Sequence, residues 1–224
     1  MKKSRDGSIH VTDEIFNTAF HSAAAFFTLA GGSLLIAKAG LTGDPWKITA
    51  FSVYSITLLL LYVSSALHHG LKCGAKLKKF LRSLDYSSIF LLIAGSLTPL
   101  SLVILRDTPY GWVIFGVCWV CALAGAAVRI LIPGIPRWFT TTLFISMGWS
   151  AVFIVVPFAA RAGMAAVLYL GAGGFFYTAG SVIFTIEKPN PVKGKFGFHE
   201  IWHLFVIAGS LMHYILMYTV VLPY

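Results

Sequence analysis

The chain has 224 residues, 58% of them hydrophobic and only 11% charged, with a mean hydropathy of +0.82. Soluble domains carry about 25% charged residues, so this composition excludes a soluble globular fold and predicts a polytopic membrane protein. Three cysteines (Cys73, Cys118, Cys121) exclude a disulfide framework, and the net charge of +9 reads as loops facing anionic lipid rather than as a nucleic-acid surface.

The start, Met1-Lys2-Lys3-Ser4-Arg5, resembles the basic region of a signal peptide. A polar run from Asp6 to Glu14 follows, and then an apolar run too long for a signal. The expectation is a short N-terminal segment, 1–14, ahead of a single transmembrane domain, 15–224. A helical span needs about 20 apolar residues. Seven stretches meet that length, roughly 15–37, 46–69, 84–105, 110–131, 138–158, 164–186 and 198–222. The fold class is therefore all-α, a seven-transmembrane helix bundle. The connections are short and carry Gly, Pro or charge; Lys72 to Arg82 reads as a solvated loop beside lipid headgroups.

Seven spans put the termini on opposite sides. Thirteen of the 17 Lys and Arg fall on the N-terminal side, leaving Lys38, Lys47, Arg106 and Arg161 on the other. Positive charge favours the cytoplasm, so the N-terminus is expected there and the C-terminus outside. Ala23 to Ala25, Gly31, Gly32, Gly171, Gly173 and Gly174 are expected to let helices approach closely. Pro99 and Pro157 are expected to kink their spans. Cys118 and Cys121 have CxxC spacing inside an apolar run and read as small buried side chains.

Polar residues inside spans are costly and mark function by default. His199 and His203, at i and i+4, share one helical face at the start of the last span. His68 and His69 close the second span, and Asp85 opens the third, on the same side. Three helices thus bring histidines and a carboxylate to one depth, which predicts a metal site. Imidazole and carboxylate donors without thiolate suit Zn2+, and three histidines with one open position is the catalytic arrangement. Zinc lowers the pKa of bound water to about 7; Asp85 would ligate the metal or take the proton of that water. Ser64 precedes His68 by four and would orient the imidazole or stabilise an oxyanion, or else bond its own helix backbone. Ser65 and His69 have the same spacing, about 100° further round, and helix geometry alone does not choose between the pairs. His21 either reaches the site or hydrogen-bonds within the bundle, the second being favoured. Glu14 and Asn17 read as caps of the first helix or contacts to loops. His213 lies nearly three turns beyond His203, too deep for the same metal.

At these residues the chain resembles the hemolysin III family, which groups with the progestin and adiponectin receptors and more distantly with the alkaline ceramidases. The likeness rests on Ser64-x-x-x-His68, on Leu84-Asp85-Tyr86 leading into Ile93-Ala94-Gly95-Ser96-Leu97-Thr98-Pro99, and on His199-Glu200-Ile201-Trp202-His203 followed by Ala208-Gly209-Ser210 and His213-Tyr214. Glu14-x-x-Asn17-x-x-x-His21 matches the bacterial branch. The resemblance implies a seven-helix bundle in a bacterial cell membrane. It implies zinc held by His68, His199 and His203, with Asp85 on or near the metal-bound water and Ser64 in support, and it chooses His68 over His69. It implies hydrolysis of an amide bond of a membrane lipid; the family name implies cytolysis.

Three functions are carried forward: a zinc-dependent lipid hydrolase, a non-enzymatic cytolysin or membrane sensor with structural zinc, and an intramembrane metalloprotease. The last rests on the literal HExxH at His199 to His203, in which Glu200 would be the general base. A membrane lipid is the expected partner and nucleic acid is not; sequence leaves oligomeric state open.

Overall fold

The computed structural model describes residues 14–132, 134–192 and 194–224. The expected N-terminal segment therefore lies, except for Glu14, outside the described residues. Eight α-helices build seven spans: α1 (Ile15–Thr42), α2 (Pro45–Gly70), α3 (Ala75–Pro99), α4 (Pro109–Leu131), α5 (Arg137–Trp149) with α6 (Val155–Ala162), α7 (Met164–Ile186) and α8 (Phe198–Leu216). All seven spans are long and apolar enough to cross a membrane. Phe26, Phe27, Val120, Phe153 and Leu168 stand on the outside of the bundle, as lipid contact requires.

Local chemistry sets the helix ends. Gly43 ends α1 at φ 70°, its N–H reaching the Gly40 carbonyl. One residue on, the Asp44 carboxylate accepts from Trp46 N at 2.8 Å and Pro45 starts α2 with its φ already fixed. Thr108 and Pro109 start α4 in the same way. Pro99 ends the regular part of α3, and a wider π turn carries the span through Leu100–Ile104. In the fifth span a tight 3₁₀ stretch, Ser150–Ile154, precedes Pro157, whose missing N–H cannot hold a continuous helix.

The chain departs from its expected outline at one place that matters. Helix α3 begins at Ala75, so most of the basic run Lys72 to Arg82 is helix rather than solvated loop, and Lys78 on it is buried. The site end of α3 thus extends two turns beyond its apolar stretch.

Helices α1, α2, α3 and α4 pack in chain order, α7 packs on α8, and α8 returns to α1. Helix α3 is the centre: 83% of its apolar window is buried, against 56% for α2, 39% for α8 and 17–22% for the rest. Without a hydrophobic drive between helices in lipid, close approach decides contact. A Cβ at Gly32 would meet Ser55 of α2 at 2.8 Å, and one at Gly209 would meet Tyr177 of α7 at 2.9 Å. Gly173 is also filled, by His213, but Gly171 and Gly174 face open space and do not serve packing. Cys118 is buried beside Ser150 at 3.4 Å; Cys121 is exposed, contrary to the expectation that both are buried.

Candidate metal centre

The start of α8 is built by hydrogen bonds that fix its first turn. Asn190 Oδ1 accepts from Phe198 N at 3.1 Å, and Glu200 Oε2 accepts from Gly197 N at 2.7 Å. The carboxylate satisfies a backbone donor that the helix leaves open and lies at the positive end of its dipole. The other oxygen, Glu200 Oε1, accepts from Asn17 Nδ2 of α1 at 2.7 Å. Glu200 is fully buried, and both of its oxygens hold protein groups. His199 and His203, on the neighbouring face, place their rings 4.7 Å apart.

The end of α2 meets them. The His69 ring lies 5.0 Å from that of His199 and 5.0 Å from that of His203. One donor atom from each of the three lies within 4.8 Å of the others; His69 and His203 are buried, as is Nε2 of the half-buried His199. A second group of the same tightness joins His68, His69 and Asp85. His69 belongs to both, so five buried donors from α2, α3 and α8 form one continuous cluster. Burial on this scale is expensive for polar groups unless they are paired or bind a cation.

Neighbouring helices pin the α2 end. The Lys78 amine of α3 donates to the His68 carbonyl, putting a cation at the C-terminal end of the α2 dipole. Gly70 has no side chain, so Thr18 of α1 packs against it; a Cβ there would meet Thr18 Cγ2 at 2.8 Å. From this close approach Glu14 reaches across, its Oε2 bonded to Nδ1 of His69. Asn17 Nδ2 also donates to Glu14 Oε2, at 3.2 Å. His21, one turn further, stacks on His203 at 3.8 Å with the rings 17° from parallel, and stands edge-on to Tyr62 at 5.1 Å.

The structure therefore treats the expected residues unequally. His199 and His203 come together with a histidine of α2, and Asp85 joins them. The trio with His199 and His203 contains His69; His68 is grouped instead with His69 and Asp85. Ser64 bonds the Leu61 carbonyl and Ser88 Oγ, both at 3.0 Å, and Ser88 in turn donates to the Asp85 carbonyl at 2.6 Å. It ties α2 to α3, which is close to the backbone-bonding alternative. The serine of α2 beside the Asp85 carboxylate is Ser65 rather than Ser64. His21 does not hydrogen-bond within the bundle: among the described residues neither ring nitrogen has such a partner. Glu14 occupies the cap position of α1 without capping it, at φ 70°, and its side chain serves α2 instead. Sequence held a signal for these contacts. Glu14, Asn17 and His21 are spaced i, i+3, i+7, one face of a helix. His213 packs edge-on against Tyr177 at 5.4 Å, away from the cluster.

The donor set fits zinc. Imidazole and carboxylate are its usual non-thiolate ligands, and a carboxylate on the outer nitrogen of a ligating histidine is a recurring support.

Comparison with known proteins gives an independent line. The profile of the family described as "Haemolysin-III related" matches residues 9–214. The chain is 34% identical to hemolysin-3 of Bacillus cereus, over 95% of this chain and 94% of that protein. It is 32% identical to the hemolysin-3 homolog of Bacillus subtilis (strain 168), over 96% of this chain and 98% of that protein. A more distant relative is the human monocyte to macrophage differentiation factor, 27% identical over 82% of this chain and 74% of that protein.

Proposed function

Because the chain belongs to the haemolysin-III family, we propose that it is a zinc-dependent hydrolase that cleaves an amide bond of a lipid in the membrane holding it, with its site in the inner leaflet. The observation that carries this reading is the buried cluster of His68, His69, Asp85, His199 and His203 at one end of a bundle.

His199 and His203 hold the metal from α8, with a histidine of α2 completing the set. When bound, zinc supplies Lewis acidity, polarising a carbonyl and making water nucleophilic near neutral pH. Asp85 accepts the proton of the attacking water at its carboxylate and returns it to the leaving amine. Ser64, through Ser88, keeps α3 in register so that Asp85 faces the histidines.

The metalloprotease alternative needs Glu200 as a free base. Both of its oxygens hold protein donors, at 2.7 Å each, so Glu200 acts as a helix cap and interhelical tie. Cytolysis, which the name of the Bacillus cereus relative suggests, follows indirectly if the lipid products weaken a bilayer. Purified protein is expected to hold about one zinc per chain, as one site of this type binds one ion. Lipid profiles of cells expressing Asp85→Ala are expected to lack the cleavage product seen with the wild type. Metal-free protein from chelator-free preparation refutes the proposal.

A further inference from the structure

We infer that the chain carries a docking site for an anionic phospholipid on the α4-facing side of α3, where the guanidiniums of Arg82 and Arg129 meet at the ring of Tyr86. The site is separate from the donor cluster and does not depend on the hydrolase reading.

Arg129 stands two residues before the end of α4. An arginine so placed ordinarily extends its chain outward to water. Here it turns inward. Its Cζ lies 4.2 Å from the centre of the Tyr86 ring of α3. The residue is half-buried, and its Nε is buried with no hydrogen-bond partner among the described residues. Arg82, one turn before Tyr86 on α3, brings its own guanidinium to 6.0 Å from the same ring. Two like charges gathered at one ring repel each other, and the attraction of each for the ring face is modest. An anion at this point offsets the repulsion, and the flat fork of a guanidinium matches paired phosphate oxygens. Asp85, next to Tyr86 in sequence, is spent on the donor cluster with His68 and His69 of α2.

The surroundings choose a lipid over a free ion. Beside Arg129, a shallow cleft between α3, α4 and α5 is lined by Phe90, Gly125, Val128, Phe139 and Leu143. Phe90 fits closely against α4 because Gly125 has no side chain; a Cβ there would meet the ring at 2.6 Å. Val128 and Phe139 are exposed at the rim, so the cleft opens sideways toward the bilayer. Phe90 and Gly125 each lie one turn deeper in the membrane than Tyr86 and Arg129. Cations at the border with an apolar slot beneath them suit a phosphate headgroup and its acyl chain. Lys79, exposed and three residues before Arg82, extends the positive face toward the headgroups. Basic pockets between spans are a recurring way to hold anionic lipid. The two arginines come from segments that hydropathy reads differently, a basic run and an apolar span, and only the packing of α3 on α4 joins them.

The test uses full-length protein in neutral detergent, with lipid binding read by native mass spectrometry and stability by thermal melts. Phosphatidylglycerol is compared with phosphatidylcholine of the same acyl chains and with inorganic phosphate. The wild type is expected to bind phosphatidylglycerol at least about tenfold more tightly than phosphatidylcholine, as one charge-assisted contact implies. It is expected to melt higher with phosphatidylglycerol, and to lose part of the gain in high salt. Arg129→Gln is expected to weaken phosphatidylglycerol binding by about tenfold or more. Tyr86→Leu is expected to weaken it less, and Tyr86→Phe, which keeps the ring face, to leave it unchanged. Arg106→Gln, at the opposite end of the bundle, is the control and should change nothing at this site. Melts without lipid show which variants fold; if Arg129→Gln does not, the wild-type comparison and the Tyr86 pair decide. Equal binding of the two phospholipids overturns the inference, and so does unchanged affinity in a folded Arg129→Gln. Inorganic phosphate that stabilises the protein as much as phosphatidylglycerol also overturns it, because the site then holds an anion without its lipid.

Discussion

The two ends of the bundle use charge in opposite ways. At the end where α1 and α8 start, charged and polar groups are buried or half-buried and joined between helices: Glu14 to His69, Asn17 to Glu200, Lys78 to the His68 carbonyl. At the other end, Arg161 grips Asp107 and also donates to the Ile104 carbonyl at 3.1 Å, with Arg161 30% and Asp107 69% exposed. Arg106 stands 3.7 Å from Asp44, and Lys47 donates to the Leu222 carbonyl at 3.1 Å. The exposed end uses its ions as fasteners that water and salt weaken. The buried end holds them largely out of water, so each group depends more on its partner. The difference teaches where the donor cluster is built: on α2, α3 and α8, the three helices with the most buried faces.

Substitutions at the two ends are expected to differ accordingly. The largest effect belongs to His203→Ala, which removes a fully buried donor. Zinc content is expected to fall from about one per chain to background, measured by mass spectrometry. Asp85→Asn should keep the metal and lower lipid hydrolysis by about 10²–10⁴-fold, the usual contribution of a positioned acid or base; turnover of a labelled lipid amide checks it. Asn17→Ala leaves a buried oxygen of Glu200 without its 2.7 Å partner. A loss of about 1–3 kcal/mol is expected, read from thermal melts in detergent, with Glu200→Gln rescuing little because its amide cannot reproduce both acceptors.

The smallest effect is expected at the opposite end. Arg161 beside Asp107 holds that carboxyl below its ordinary value of 3.8. A lowered carboxyl stabilises the fold above its unfolded pKa, and the contribution disappears as pH falls through the folded value. Arg161→Ala should therefore change melting slightly at pH 7 and by less still at pH 3. An Arg161→Ala loss as large as that of Asn17→Ala would erase the contrast between the two ends.

Much of this was legible in sequence, for physical reasons. Lipid demands long apolar helices, so seven spans follow from hydropathy. The i, i+4 pair His199 and His203 shares a face by helix geometry. What composition could not show was the N-terminal part of α3. Lys76, Lys78, Lys79 and Arg82 look like a loop because they are charged, yet Lys78 is buried beneath α2, where a carbonyl accepts its amine. The spacing of Glu14, Asn17 and His21 showed that they share a face, but not which helices that face meets. A polar residue at a helix start usually caps its own helix, and here Glu14 and Asn17 are spent on helices far along the chain. The register of α2 was likewise undecidable from spacing, since adjacent serines precede adjacent histidines.

The bond between Asn17 and Glu200 joins residues 183 positions apart. A ribosome delivers the first of these long before the last, so a product that stops short of α8 keeps the bond of Glu14 to α2 but leaves Asn17 without Glu200. The trio of His69, His199 and His203 comes into being only when the closing segment has inserted, whereas His68, His69 and Asp85 meet as soon as α2 and α3 are paired.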